Sequence, residues 1–436
     1  MNAESALERL RELCRIPSIS ADLPEVGRAA EWLIERYGAA ADRIGTFTAA
    51  DGTPIGLLLE FDGEDAPGVT FYNYFDVTPA DDGGWASPPF DPEVRDGRLY
   101  ARGAAGNKGD LVARLEAVAA ARTGPGLRRR VVFWLDGQEE LGALTIPEML
   151  DEWQRQLATP LVVWNTGFVN DAGAPIVSLG FKGIVVGTAC ARRERFASHS
   201  GVGLGTSGVR TLLEALMPLS DADEHRRLES FRVLDDHPFP EDPADLERAA
   251  ETRLFDPLVD AALSGAFGEE LRGAGAADIV RRALFEPTVN IPWIDGGSPD
   301  EVTRYAESAR CALDVRIVPP QDAARLIEDL ERHFGARDIE FSVRFALQPY
   351  VVEPGRRDEV LARLEGPLAA AFGTPPLMLP IAPSGAPAAE VAARLGSPVV
   401  GMGLTDGHAR PHGTNESISC ATFAQSLDAV HRLVAR

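Results

Sequence analysis

The sequence predicts an α/β fold, with a mostly parallel sheet covered by helices and a smaller α+β domain inserted into it. Apolar strands alternate with helix-patterned segments up to residue 164, as in parallel sheets. From residue 183 the order changes to strands followed by a helix and another strand. The length of 436 residues exceeds what one core usually serves. We therefore assign residues 1–182 and 348–436 to the α/β domain and residues 183–347 to the insertion.

Hydrophobic periodicity places the elements in chain order. Apolar residues at helical spacing predict helices, and short apolar or alternating runs predict strands. In the first part, helices are predicted at residues 3–13, 26–37, 109–122 and 145–156, and strands at 54–61, 69–74, 130–135 and 160–164. In the insertion, strands are predicted at 183–191, 308–318 and 339–347, and a helix at 323–334. A strand at 397–402 and a helix at 421–434 come last.

The composition argues against several classes of partner and site. Asp and Glu number 66 against 43 Lys and Arg, and the formal net charge of −23 disfavours binding to nucleic acid or to anionic membranes. No apolar run reaches the length of a membrane span, and the first residues lack the features of a signal peptide. The four cysteines lie far apart without a CxxC pair, which indicates a reducing compartment and no thiolate zinc site. We therefore expect a cytoplasmic protein.

Adjacent carboxylates follow the predicted strand at residues 130–135. Glu139 and Glu140 lie just beyond the carboxyl end of this strand, which is where ligands bind in doubly wound sheets. Such a pair could perform acid/base chemistry, but by itself it is more typical of a solvated acidic turn. Three further segments stand out beside it, at residues 72–80, 96–109 and 412–416.

Together these segments resemble peptidase family M20, the dinuclear zinc aminoacyl- and dipeptidases of the carnosinase and carboxypeptidase G type. The resemblance extends to residues 198–202 and 316–319, so it covers essentially the whole chain. It implies a catalytic α/β domain and an inserted lid domain that dimerises and delivers a histidine to the neighbouring subunit. We therefore expect a homodimer through the insertion, and a small amino-acid-like or dipeptide-like substrate.

The same resemblance implies a depleted metal site. Tyr74 stands at the position of a metal-binding histidine, Gly106 at that of the bridging aspartate, and Asn165 at that of a further aspartate. Glu140 and His412 remain as metal ligands. A zinc site needs three or four N, S or carboxylate ligands, and neither a neutral phenol nor an amide replaces them well. We therefore expect either no cofactor or at most one weakly held divalent ion, zinc or manganese.

The resemblance also implies roles for the remaining residues. Glu139 matches the general acid/base, and His199 matches the histidine that stabilises the oxyanion from the partner subunit. Asp76 matches the acid that orients a metal-binding histidine, and Tyr74 becomes a candidate second proton carrier. The candidate substrate contacts, of which the first is expected to pair with a carboxylate, are Arg316, Asn290, Thr303 and Asn165.

Three functions stay open at this point. In the first, the protein is an enzyme that acts on an amide or peptide C–N bond, and a cationic substrate group occupies the place of the metal among Asp76, Glu139 and Glu140. In the second, it is a mononuclear metallohydrolase that uses Glu140, His412 and Asp76. In the third, it is an inactive relative that binds an amino-acid-like ligand.

Overall fold

The computed structural model describes residues 2–64, 66–80, 83–142, 144–192, 207–220, 228–236, 238–240, 242, 244–256, 275–298, 300, 303 and 305–436. The strands β1 to β19 are, in chain order, Arg43–Thr48, Pro54–Phe61, Ala66–Tyr74, Glu93–Arg95, Arg98–Tyr100, Arg129–Asp136, Val162–Trp164, Phe168–Val169, Pro175–Ser178, Gly180–Arg192, Thr288–Asn290, Ile294–Gly296, Ser308–Ile317, Ile339–Leu347, Tyr350–Val351, Leu377–Leu379, Ala382–Gly385, Val399–Gly401 and Ser417–Ser419. The helices α1 to α12 are Ala3–Cys14, Leu23–Tyr37, Gly109–Thr123, Ile146–Leu157, Gly208–Ser220, Glu229–Asp236, Ala244–Glu251, Ala276–Phe285, Ala323–Gly335, Pro354–Phe372, Ala388–Leu395 and Cys420–Val434.

A central sheet combines nine of the described strands. Its order is β1-β2-β6-β3-β7-β18-β9-β16, with β8 beside β9. Strand β3 runs parallel to β6 and to β7, β7 runs parallel to β18, and β9 to β16, whereas β1 and β2 form an antiparallel edge. Residues 131–135 of β6 are fully buried because helices cover both faces of the sheet. The predicted α/β fold class is therefore confirmed.

A second sheet is built around β10. Strands β13 and β14 flank β10 and run antiparallel to it, and β11 and β12 pair with the far side of β13. Helices α5 and α9 cover one face, where Leu216 and Leu326 pack in one apolar cluster with Leu313. The first two residues of β10 pair with β15 instead. The domain boundaries at residues 182/183 and 347/348 stay a prediction.

A third, three-stranded sheet joins distant parts of the chain. Its order is β19-β5-β4, so residues 98–100 pair with residues 417–419. This pairing brings the glycine-rich turn at residues 103–106 next to Glu416. The site described below depends on that contact.

The helices present one apolar side to the sheets. In α1, Leu10 and Leu13 are buried, and the side chain of Asn2 accepts hydrogen bonds from the backbone N–H groups of Glu4 and Ser5, which caps the helix. Within the described residues, none of the helices combines the length and the apolar composition that crossing a bilayer requires.

Candidate active site

The candidate site begins where β3 and β6 end side by side. The two strands are parallel neighbours, and their last residues, Tyr74 and Asp136, are paired in register. The loops that follow them carry Asp76 and the Glu139–Glu140 pair. Because parallel strands deliver their carboxyl ends to one edge of the sheet, residues distant in sequence meet there.

Asp76 holds the loop that carries the two glutamates. Its carboxylate is fully buried and accepts hydrogen bonds from the backbone N–H of Glu139 at 3.2 Å and from that of Glu140 at 3.1 Å. It also accepts a 2.6 Å hydrogen bond from the hydroxyl of Ser20. Burial, and then the nearby Asp136, raise the pKa of Asp76 to about 8. Asp76 thus fixes the backbone of the acid/base loop.

Four carboxyl groups crowd this edge of the sheet. Glu139 is half-buried, and desolvation followed by the charges of Glu140, Asp76 and Asp136 raises its pKa well above the ordinary value. Asp136 is fully buried and accepts hydrogen bonds from the hydroxyls of Tyr72 and Thr145, yet burial still raises its pKa to about 6. The group is therefore predisposed to hold protons or a cation.

The glycine-rich turn at residues 103–106 is held by hydrogen bonds to Glu416, near the carboxyl terminus. Glu416 is fully buried, and its carboxylate accepts hydrogen bonds from the N–H groups of Gly103 at 3.0 Å and of Ala105 and Gly106 at 2.8 Å. Arg102 donates a further hydrogen bond to it at 2.8 Å and also binds the carbonyl of His412. The role of Glu416 was not predicted, although it lies within one of the segments that carried the resemblance.

His412, whose carbonyl is bound by Arg102, contacts the glutamate pair. Its Nε2 lies 2.9 Å from Oε1 of Glu140, whose side chain is only 7% exposed. The interaction with Glu140 raises the pKa of His412. His412 and Glu140, predicted as the remaining metal ligands, therefore lie in contact with each other.

At the other positions that the resemblance matched to metal ligands, the chain has a phenol, a glycine and an amide. A Cβ atom at Gly106 would lie 3.2 Å from the hydroxyl of Tyr74 and 3.7 Å from Nε2 of His412, so the phenol fills the space that an acidic side chain there would enter. In Asn165, the amide oxygen is buried without a hydrogen-bond partner among the described residues. The described ranges contain no group of three His, Cys, Asp or Glu side chains arranged to hold a metal.

Three of the four predicted substrate contacts, Arg316, Asn290 and Thr303, lie on or near the second sheet. Arg316 makes a two-pronged ion pair with Asp314, at 2.7 and 3.0 Å, while Asn290 and Thr303 are exposed. Within the described part of the chain, no hydrogen bond or ion pair links these three residues to Glu139. His199 lies outside the described residues.

The second sheet nevertheless touches the acid/base loop. The ring of Phe345, on β14, lies 3.4 Å from where a Cβ atom at Gly142 would be. Gly142 has φ of +104°, a backbone conformation that favours glycine, and it closes the short helical turn Glu139–Leu141. The turn that carries the glutamate pair is therefore bounded by the second sheet.

Comparison with known proteins identifies the relatives of this chain. The family model described as Peptidase family M20/M25/M40 matches residues 71–436. A cysteinylglycine-S-conjugate dipeptidase of Corynebacterium striatum is 26% identical over 347 residues, which cover 75% of this chain and 71% of that protein. The crystal structure of an M20 family metallo-carboxypeptidase from Sulfolobus solfataricus superposes with a TM-score of 0.87 at 22% identity, covering 99% of this chain and 98% of that one.

A further relative bears on the cofactor. A dinuclear metal-binding peptidase of the M20 family from Bacillus subtilis superposes with a TM-score of 0.54 at 13% identity, covering 99% of this chain and 97% of that one. The prediction of no cofactor, or of at most one weakly held zinc or manganese ion, is contradicted by these matches, because the Sulfolobus solfataricus relative is a metallo-carboxypeptidase and the Bacillus subtilis relative is a dinuclear metal-binding peptidase.

Proposed function

The chain belongs to peptidase family M20/M25/M40, and on that premise we propose that it hydrolyses the amide bond of a small dipeptide-type substrate. The dipeptidase of Corynebacterium striatum supports this substrate class. The observation that carries the proposal is the placement of Glu139 at the carboxyl end of β6, on a loop whose backbone N–H groups are bound by the buried Asp76.

Glu139 acts as the proton carrier in this reaction. A carboxylate beside the substrate can take a proton from the attacking water and return it to the leaving amine. The hydroxyl of the water is added to the carbonyl carbon, the C–N bond breaks, and the proton ends on the amine nitrogen. Asp76 is a positioning residue, because it acts on the backbone of the loop and leaves the Glu139 side chain directed to the substrate.

Turnover of dipeptides by the Glu139→Gln variant tests the proposal. Purified protein is assayed on cysteinylglycine and on a panel of other dipeptides, with release of the free amine as the readout. We expect the substitution to lower kcat/KM by about 100-fold or more, because general acid/base catalysis contributes on that order. The matched control is Glu148→Gln, which changes an exposed glutamate on α4 and is expected to leave turnover unchanged.

Two results would contradict the proposal. One is unchanged turnover in Glu139→Gln. The other is tight binding of dipeptides by the wild-type protein without turnover of any, which would favour the ligand-binding alternative. The metal content of each preparation, measured by mass spectrometry, separates loss of the proton carrier from loss of a bound ion.

We also propose that the protein forms a homodimer through the second sheet. Helix α5 carries two large apolar side chains on its outer side, Leu213 and Met217, which are 47% and 68% exposed. Their separation by four residues puts them on one face of the helix, as expected for a contact with a second copy. A dimer would also allow His199 to reach the neighbouring site.

Light scattering on the Leu213→Glu variant tests the dimer. We expect wild-type protein at twice the chain mass and the variant at the chain mass, because a buried charge opposes association. Ile44→Glu is the control, since Ile44 is similarly exposed at 46% but lies on the edge strand β1 of the central sheet. If His199 serves the partner subunit, the monomeric variant also loses turnover. A wild-type monomer would refute the dimer.

A further inference from the structure

A basic pocket lies at the opposite end of β6 from the candidate active site. It has a volume of about 430 Å³ and is bounded by the start of β6, by α10 and by α12. Among the described residues, the pocket lining contains four arginines and no acidic side chain: Arg128, Arg129, Arg363 and Arg432. In a chain with a net charge of −23, such a grouping departs from the average surface.

The described carboxylates near the pocket form ion pairs with only two of these four arginines. Arg363 pairs with Glu359 at 2.6 Å and Arg432 with Asp428 at 2.7 Å, each on its own helix and each at least partly exposed. For Arg128 and Arg129, the described residues offer no carboxylate within ion-pair distance. Glu64, which is close in sequence to the pocket wall, pairs instead with Arg436, outside the pocket lining.

Arg129 is the least satisfied member of the group. It is only 3% exposed, and within the described ranges its guanidinium donates one hydrogen bond, from Nη1 to the carbonyl of Pro67 at 3.2 Å. Its Nε is buried without a partner among the described residues, and so is Nη1 of Arg363. Burial, and then the positive charges of Arg128 and Arg363, lower the pKa of Arg129 to about 10. Arg129 therefore remains charged at neutral pH.

Burying a charge without a partner costs free energy, and a bound anion would offset that cost. Exposed arginines usually need none, because water solvates them. The Nε of Arg129 and the Nη1 of Arg363 are buried without a partner among the described residues, so the guanidinium groups that border the pocket are only partly compensated by protein. Planar guanidinium groups bind phosphate and carboxylate oxygens through paired N–H donors. A phosphate monoester carries about two negative charges and three acceptor oxygens, which matches two unpaired arginines better than a single carboxylate does.

We propose that this pocket is a binding site for the phosphate group of a small molecule, formed by Arg128, Arg129 and Arg363. The volume exceeds what a phosphate ion alone requires, so an organic part can occupy the remaining space. The site lies at the amino-terminal end of β6 and does not depend on the function proposed for the other end.

Calorimetric titration with two phosphate probes and one carboxylate probe tests the site and separates the two sources of phosphate. Inorganic phosphate and glycerol 3-phosphate are titrated into the full chain, with acetate as the carboxylate probe. Both phosphate probes are expected to bind, and acetate is not. Equal affinities would identify the phosphate group as the whole ligand. Tighter binding of the ester would assign the rest of the pocket to the organic part.

Substitutions in the pocket locate the binding. Arg129→Gln and Arg128→Gln are each expected to weaken phosphate binding about tenfold or more, because each removes a charge-assisted interaction. Arg128 is exposed, so its substitution keeps the test valid if Arg129→Gln fails to fold. Arg122→Gln, on α3 and paired with Asp42, is the control and is expected to bind as wild type does. The proposal fails if neither phosphate probe binds, if acetate binds equally well, or if the control weakens binding as much.

Discussion

Strand β6 has a group of like charges at each end, and the two groups differ in how the fold can relieve their repulsion. At the carboxyl end, Asp76, Asp136, Glu139 and Glu140 crowd together. At the amino end, the four arginines of the basic pocket do the same. With eight residues in the strand, the two groups lie about 25 Å apart.

The sign of the charge decides whether protonation can reduce the repulsion. Carboxyl groups can bind a proton, and burial raises the pKa of Asp76 to about 8 and that of Asp136 to about 6, so part of the repulsion disappears by protonation. Guanidinium groups stay charged near neutral pH, even in Arg129, where the pKa is lowered to about 10. The acidic end can therefore relieve its repulsion by protonation, whereas the basic end cannot, and in our proposal a phosphate group supplies its counter-charge.

The largest effect on stability is expected at Glu416, a buried carboxylate with a full set of hydrogen-bond partners. Glu416→Ala removes the acceptor of three backbone N–H groups and leaves Arg102 buried without its counter-charge. We expect the free energy of unfolding to fall by about 3–5 kcal/mol, because breaking a buried ion pair by removing one partner costs on that order. Denaturant unfolding measures it. The control, Glu390→Ala, removes an exposed acid from the surface pair with Arg394 and is expected to change stability by about 0.5 kcal/mol or less. Equal losses in the two variants would show that the pairing of Glu416 contributes nothing beyond a surface contact.

Protonation at the acidic end predicts a pH dependence of stability. The pKa of Asp136 rises from 3.8 in the unfolded chain to about 6 in the folded one, so between these values the folded state binds more protons. Stability from this group is complete below pH 4 and falls, by up to about 3 kcal/mol, as the pH rises to about 6. Asp136→Asn keeps the neutral form and is expected to reduce the fall of the unfolding free energy over that window, while Asp76, whose pKa is also raised, still contributes to it. Asp151→Asn, an exposed change on α4, serves as the control. A slope unchanged by Asp136→Asn would mean that the acidic end is relieved in another way.

The Tyr74→Phe variant tests whether a neutral hydrogen-bond donor stabilises negative charge at the acidic end. The phenol is buried beside the carboxyl groups and stays protonated at neutral pH, so its hydroxyl can donate a hydrogen bond to negative charge that develops in the reaction. Tyr74→Phe is expected to lower kcat about tenfold, the equivalent of one modest hydrogen bond, with KM unchanged. The control is Tyr72→Phe, two residues earlier on β3, where the hydroxyl binds Asp136 and the ring stacks on Trp164. That change is expected to affect stability rather than turnover. A wild-type kcat in Tyr74→Phe would exclude the phenol from the reaction.

The sequence predicted the fold where local patterns sufficed. The apolar run at residues 130–135 became the buried centre of β6, and the periodic segments became helices with ends within three residues of those observed, as for α1 and α2. Strand β1 was not predicted, because its side chains are exposed or only partly buried and have no apolar run to mark them. The family resemblance is confirmed by the match over residues 71–436.

Only the site residues that belong to recognisable sequence motifs could be predicted. Asp76, Glu139, Glu140 and His412 are brought together at one edge of the sheet, while their roles stay a prediction. The role of Glu416 could not be found locally, because its partners lie more than 300 residues earlier in the chain. The cofactor prediction was argued from single replaced positions in the motifs, and it is contradicted by the matches to metallopeptidases.

The smallest expected effect is a change in melting temperature at the basic end, where removing a side chain is expected to stabilise the protein. Arg128→Gln removes a charge that repels Arg129, so without phosphate we expect the melting temperature to rise on the order of 1 °C. With phosphate present, the wild-type protein gains more stability from binding than the variant does, so the order of the two melting temperatures reverses. Arg155→Gln, an exposed substitution on α4, controls for the loss of one positive charge and is expected to show neither the rise nor the reversal. A variant that melts below wild type in both buffers would mean that the arginines at this end are already relieved by solvent. The two ends of β6 would then differ only in burial, not in their need for a ligand.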